Sequence, residues 1–204
     1  MMGEPDVVHG AWTRRSASID GGPQFETQHV VWLQAGTCYA DIRVPFDPRA
    51  DRRCFTGRSF WEGDAYRWTH HLDLDDGGAQ GTPAADDVGL LHWDGAALIE
   101  TGMFPTPSGA VAYEETWVRL AGDDGPWLAL EGPDGCLVRV GDHALTVVDR
   151  RRSGGQFAAC YRVLGADGWR IEASIGNADA LPDPESTDDG WAVIHSAGRA
   201  RVTR

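Results

Sequence analysis

Three side chains carry the acid–base potential of this sequence: His70, Glu100 and Glu115. An imidazole titrates near neutral pH, and a carboxyl group raised by burial does the same, so such a set can move protons on an enclosed substrate. Around them stand groups suited to holding a small molecule. Tyr39, Asp41 and Arg43 alternate along residues 38–44; Tyr113, Glu115, Trp117 and Arg119 alternate along residues 113–120; Trp32 and Trp68 sit in two further apolar runs. Aromatic rings supply contact area while a guanidinium or phenol orients a polar group, which is how small-molecule pockets are commonly built. The same spacing also fits plain strand-face salt bridges, Asp41 with Arg43 and Glu115 with Arg119, on faces that meet solvent. For each strand taken alone the solvated face is the first expectation. Taken together, these residues are the candidate site.

Other chemistries find little support. His70 and His71 are adjacent, so on a regular strand they point to opposite faces and do not ligate one ion together. Residues Asp73-Leu74-Asp75-Asp76-Gly77-Gly78 begin like a calcium loop, but Gly77 stands at its fifth position and Ala84 at its twelfth, where oxygen ligands are needed. No metal site is expected. The four cysteines, Cys38, Cys54, Cys136 and Cys160, form no Cys-x-x-Cys pair and read as buried or idle thiols. No phosphate loop, dinucleotide-binding glycine pattern or Gly-x-Ser-x-Gly elbow is present, so no cofactor is implied. All 18 basic residues are arginine, which removes Schiff-base chemistry.

The elements that must position these groups are strands. Short β-branched and aromatic runs at 29–34, 38–44, 65–72, 88–93, 97–100 and 113–120 are followed by others at 127–130, 136–140, 144–148, 157–164, 169–174 and 191–195. Asp-Gly pairs at 76–77, 94–95, 134–135 and 167–168 supply hairpin turns between them. No amphipathic helix of three turns stands out. The chain reads as all-β, an antiparallel barrel over residues 1–204 as one structural unit. Within the Tyr66–Leu74 alternation, His70 is expected on an apolar face with Tyr66, Trp68, Leu72 and Leu74. Two polar segments, 74–83 and 177–190, read as long loops. Weak echoes link Trp12-Thr13-Arg14 to Trp117-Val118-Arg119, Cys38-Tyr39 to Cys136-Leu137 and Tyr66-Arg67 to Tyr161-Arg162, which is compatible with two barrel-like halves at 10–105 and 113–204.

With 31 acidic and 18 basic residues the net charge is −13, which disfavours nucleic acid or an anionic membrane as partner. No apolar stretch approaches the ~20 residues of a membrane span, and the N-terminal residues lack the cationic-then-apolar pattern of a signal peptide. A cytoplasmic location is the expectation, and a homodimer stays open.

The segments Trp12-Thr13-Arg14, Val31-Trp32-Leu33-Gln34, Tyr39-Ala40-Asp41-Ile42-Arg43-Val44-Pro45, Phe55-Thr56-Gly57, Trp68-Thr69-His70-His71-Leu72-Asp73, Leu98-Ile99-Glu100-Thr101-Gly102 and Tyr113-Glu114-Glu115-Thr116-Trp117-Val118-Arg119 resemble a family of little-characterised bacterial proteins related to the fungal HRI1-type proteins. The resemblance covers most of residues 12–175, with 39–45 its most specific part, and residues after Gly176 depart from it. It implies a lipocalin-like, calycin-type barrel, single or doubled, and carries no activity. The expected function is binding of a small apolar or aromatic molecule in the barrel, with Trp32, Trp68 and Trp117 as walls and Tyr39 and Arg43 orienting a polar group. The alternative is a cofactor-independent cyclase, isomerase or lyase in which His70 acts as acid or base assisted by Glu100 or Glu115. A barrel with a filled interior and an exposed apolar patch would instead be an interaction module.

Overall fold

In a computed structural model the chain is described over residues 8–76, 85–107, 109–185 and 191–197. The first polar loop from 77 onward, with the rest of the calcium-like sequence, and residues 186–190 of the second loop lie outside the described residues. Eight strands, β1 (Gly10–Ile19), β2 (Gln28–Ala35), β3 (Cys38–Pro45), β4 (Arg53–Glu62), β5 (Ala65–Asp73), β6 (Asp87–Asp94), β7 (Ala97–Thr106) and β8 (Gly109–Arg119), close into an antiparallel barrel in sequence order. A second sheet holds β9 (Trp127–Gly132), β10 (Gly135–Val140), β11 (His143–Asp149), β12 (Phe157–Gly165), β13 (Gly168–Ile175) and β14 (Ala192–Ala197) in the order β13-β12-β11-β10-β9-β14. This second sheet is open. The protein is therefore all-β, as its periodicity requires, with one closed barrel and one sheet laid against it. Among the described residues no helix is long and apolar enough to cross a membrane.

The alternation explains how the two units meet. On β2 and β3 the residues Val31, Leu33, Cys38, Ala40 and Ile42 point out of the barrel and pack against Val138, Val140, Leu145 and Val147 of the second sheet, with Cys54 and Cys136 in the same layer. All four cysteines are free and buried. Burial raises the thiol pKa of Cys54 and Cys136, so neither is a ready nucleophile.

Because the apolar face of β3 is taken by the second sheet, its other face, Tyr39, Asp41 and Arg43, is turned into the barrel. On β8 the residues Glu115 and Trp117 are likewise buried inside. This corrects the expectation that these mixed faces meet water. The alternation itself holds, but a closed barrel has a second enclosed side that a single strand's pattern cannot reveal.

Strand β8 joins β1 to close the barrel, pairing Trp12 with Arg119 and Arg14 with Trp117. The two echoing Trp-x-Arg triplets are thus antiparallel neighbours on one wall. The passage from barrel to second sheet falls at residues 120–126, after β8.

One irregularity matters for the site. The register between β4 and β5 shifts between Thr56 and Gly57, so that Thr56 opposes Leu72 while Gly57 opposes His70, leaving His71 as the extra residue of a β-bulge. Leu72 is thereby turned outward to the layer between barrel and sheet, and Asp73 is turned inward beside His70. The expected apolar face of His70 with Leu72 and Leu74 is corrected accordingly: it holds only as far as the bulge. Gly57 permits the arrangement, since a Cβ there would collide with the Thr69 carbonyl oxygen.

Candidate functional site

The middle of the barrel is an aromatic stack. The ring of Trp32 meets Trp68 at 5.7 Å and Trp117 at 5.5 Å edge-on, and Tyr66 meets Trp68 at 4.8 Å. These contacts fix the rings, and Trp32 Nε1 donates to Gln34 Oε1 at 3.1 Å. Aromatic rings in such edge-to-face pairs are well ordered and form firm walls.

Against this stack lies a group of ionisable side chains drawn from four strands and one loop. Arg43 Nε donates to Asp41 Oδ1 at 2.9 Å. Arg14 donates through Nε to Glu26 Oε2 at 2.8 Å and through Nη1 to Glu115. Arg43 Nη1 is 3.9 Å from the same Glu115 carboxylate. Glu100 stands directly across from Glu115 in the pairing of β7 with β8. Its two oxygens accept from the Tyr113 hydroxyl at 2.8 Å and from Trp117 Nε1 at 3.1 Å.

Two carboxyl groups opposite each other in a low-dielectric interior do not both ionise readily. Burial pushes the Glu100 carboxyl up, the charge of Glu115 adds to this, and the group reaches about 8 despite the Tyr113 hydrogen bond. At neutral pH Glu100 holds its proton. Glu115 is the partner of Arg14. Burial raises Asp41 as well, against the pull of Arg43. Burial works against the charge on Arg43, but Asp41 and Glu115 outweigh it and keep the guanidinium protonated.

His70 completes this end of the barrel. Its ring stacks on Phe55 at 4.5 Å, Nδ1 is 2.6 Å from Asp73 Oδ2, and Nε2 is 3.3 Å from Asp87 Oδ2. The second contact is an ion pair and not an aligned hydrogen bond. Burial alone would lower the imidazole pKa, but the two carboxylates more than offset it and raise it to about 9. His70 is therefore an imidazolium at neutral pH. This corrects the expectation of a group that titrates near pH 7: it can donate a proton but is not a free base.

Trp32, Tyr39, Asp41, Arg43, Trp68, Glu100 and Trp117, together with Phe55 and Asp87, line a cavity of about 20 Å³. That holds roughly one water molecule. Tyr113 and Glu115 reach the same cluster through Glu100 and Arg43. Arg119 does not join it: its guanidinium lies over the Trp12 ring at 4.6 Å and binds Asp123. Glu115 accordingly pairs with Arg14, not with Arg119.

The sequence reading missed Arg14, Glu26, Phe55, Asp73 and Asp87. Arg14 alternates with Trp12 and Phe55 with Gly57, which is the sequence signal for both. Asp73 was hidden by the bulge, and nothing in the sequence ties Asp87 to His70. A separate, open depression of about 680 Å³ lies on the outer wall of β6, β7 and β8, where Val88, Leu90 and Met103 are exposed.

The fold has a counterpart among solved structures. An uncharacterised protein from Saccharomyces cerevisiae, YLR301w, is similar with a TM-score of 0.68 and 14% sequence identity, over 92% of this chain and 98% of that chain. The likeness is one of fold. At that identity it says nothing of residues or activity. No family model and no curated protein sequence matches the chain.

Proposed function

We propose that the barrel binds a small molecule with an apolar or aromatic body and one polar group, in the manner of lipocalin-type barrels. The observation that carries this reading is that Tyr39, Asp41, Arg43 and Glu100 line one small cavity together with the rings of Trp32, Trp68 and Trp117. Burying so many ionisable groups is costly for the fold, and such clusters gather where a ligand is held. The ligand's polar group sits against Arg43 and the Glu100 carboxyl, and its body lies on the tryptophans. With only about 20 Å³ open, entry requires side chains to give way. Arg43 and Asp87, whose side chains are 18% and 54% exposed, are the ones that move. The net charge of −13 fits a small-molecule partner better than nucleic acid or an anionic membrane, and a cytoplasmic setting belongs to the same reading. So does kinship with the bacterial relatives of the HRI1-type proteins, a resemblance over most of residues 12–175 that is most specific at 39–45.

Tryptophan emission measured against a panel of small phenols, aromatic acids and aliphatic acids tests the proposal. At least one class is expected to change the emission saturably, and Arg43→Gln is expected to weaken that binding about tenfold, the size of one charged hydrogen bond. An emission unmoved by every class would turn attention to the filled-barrel reading and the outer depression at Val88, Leu90 and Met103.

A second reading is favoured by the protonated Glu100: a cofactor-independent cyclase, isomerase or lyase with Glu100 as general acid. It differs from pure binding in one respect. Glu100→Gln would then abolish turnover of a bound compound while leaving its affinity nearly unchanged.

A further inference from the structure

The second sheet turns one face to the barrel, and its opposite face carries two arginines that form no ion pair with a carboxylate among the described residues. Arg139 on β10, Ala144 on β11 and Arg162 on β12 stand in one cross-strand row. Directly paired residues share a face, and the alternating residues Val138, Leu145 and Tyr161 occupy the barrel side. The guanidinium of Arg139 lies 4.9 Å from the ring centre of Trp169 on β13. To reach it, the side chain crosses the small Ala144 toward β12, where Arg162 stands.

Both arginines are 8% exposed. Arg139 Nε donates to the Gly141 carbonyl at 3.3 Å, and Arg162 donates to the carbonyls of Pro182 at 3.2 Å and Ala178 at 3.3 Å. These are long bonds to neutral acceptors. Each guanidinium has five N–H donors, so most of them are left without a protein acceptor among the described residues. The third buried arginine of the described structure differs: Arg14 grips Glu26 and Glu115.

The neighbouring row, Leu137, Thr146 and Cys160, lies on the same face. Thr146 is fully buried, and its hydroxyl has no hydrogen-bond partner; the indole N–H of Trp169 is also buried and unpartnered. Two largely desolvated cations on the same face as two unsatisfied polar groups make an arrangement that is unfavourable when empty. An oxyanion would resolve both problems, because guanidinium forks match carboxylate and phosphate oxygens.

We propose that this face of the second sheet binds an oxyanion, a phosphate or carboxylate group, between Arg139 and Arg162, with the Thr146 hydroxyl and the Trp169 N–H as supporting polar partners. The proposal is independent of the barrel reading, since it uses none of its residues.

Thermal melts in inorganic phosphate and in acetate, each against chloride at equal ionic strength, test it. The melting midpoint is expected to rise by a few degrees in at least one of the two, and which anion acts separates a phosphate site from a carboxylate site. The rise is expected to disappear in the Arg139→Gln and Arg162→Gln variants. A midpoint that neither anion moves more than chloride does, or a double variant that responds like the unaltered protein, overturns the proposal. Should the arginine variants fail to fold, Thr146→Val decides. It is expected to melt higher than the parent without anion, having lost an unpartnered buried hydroxyl, and to respond less to the anion. A Thr146→Val protein with the full response contradicts the site.

Discussion

Replacing Glu100 by glutamine is expected to remove most of the loss of stability that the protein suffers as pH rises from about 5 to 8. The folded-state pKa of Glu100 is raised to about 8 by burial and by Glu115, against about 4.3 for an unfolded glutamate. A group whose folded pKa is raised stabilises fully below its unfolded value and loses that contribution as pH climbs through the folded value. The loss here is on the order of 4 kcal/mol. His70 acts in the same direction but later. With a folded pKa of about 9 and an unfolded value near 6.5, its contribution is complete below pH ~6.5 and gone above ~9. The parent protein should therefore become steadily less stable toward alkaline pH, with two overlapping limbs. Glutamine keeps the shape and an acceptor for the Trp117 N–H, and it cannot ionise. Denaturant unfolding at several pH values between 5 and 9 checks this. Parallel curves for parent and variant would mean that Glu100 is already ionised in the fold.

The second large effect belongs to Arg14. Its guanidinium holds Glu115 inside the barrel and Glu26 at its rim. In Arg14→Met the side chain's volume is roughly kept, but a buried carboxylate loses its main counter-ion. Breaking such a pair costs about 3–5 kcal/mol. Arg43, 3.9 Å from Glu115, recovers part of this, so the lower end of the range is expected at pH 7. The deficit should shrink in the Arg14→Met/Glu115→Gln double variant, where the barrel no longer holds the Glu115 carboxylate. Denaturant unfolding of the single and double variants at pH 7 is the check. A double variant as destabilised as Arg14→Met alone would assign the loss to packing and not to charge.

How much of this was legible in the sequence depends on the scale of the pattern. The alternation of Cys38, Ala40 and Ile42 with Tyr39, Asp41 and Arg43 is a local property of one strand, and it predicted correctly which residues share a face. Which face looks inward is not local. It is decided by the second sheet, whose Val138 and Leu145 cover the apolar side. The same limit applies to the pairing of Glu115. Along the strand Arg119 is the obvious partner, but barrel closure brings Arg14 across from β1. The β4–β5 bulge shows a third kind of limit. A single extra residue, His71, reverses the phase of everything after it, so that Asp73 meets His70 and turns a neutral acid–base candidate into a fixed imidazolium. Gly57 was the visible trace of that bulge. A glycine inside a strand pattern commonly marks such a site, and reading it so would have put Asp73 on the inner face.

The proposed small-molecule site is the aromatic and ionisable cluster inside the barrel. The nine tryptophans make it testable residue by residue, through the indole N–H signals of ¹⁵N-labelled protein titrated with the compounds that change the emission. Binding in the barrel predicts that the signals of Trp32, Trp68 and Trp117 move together and saturably, that of Trp117 most because its N–H is bonded to Glu100, while Trp169 on the second sheet stays still. Shifts confined to Trp169, or indole signals that stay in place at saturating compound, would contradict it.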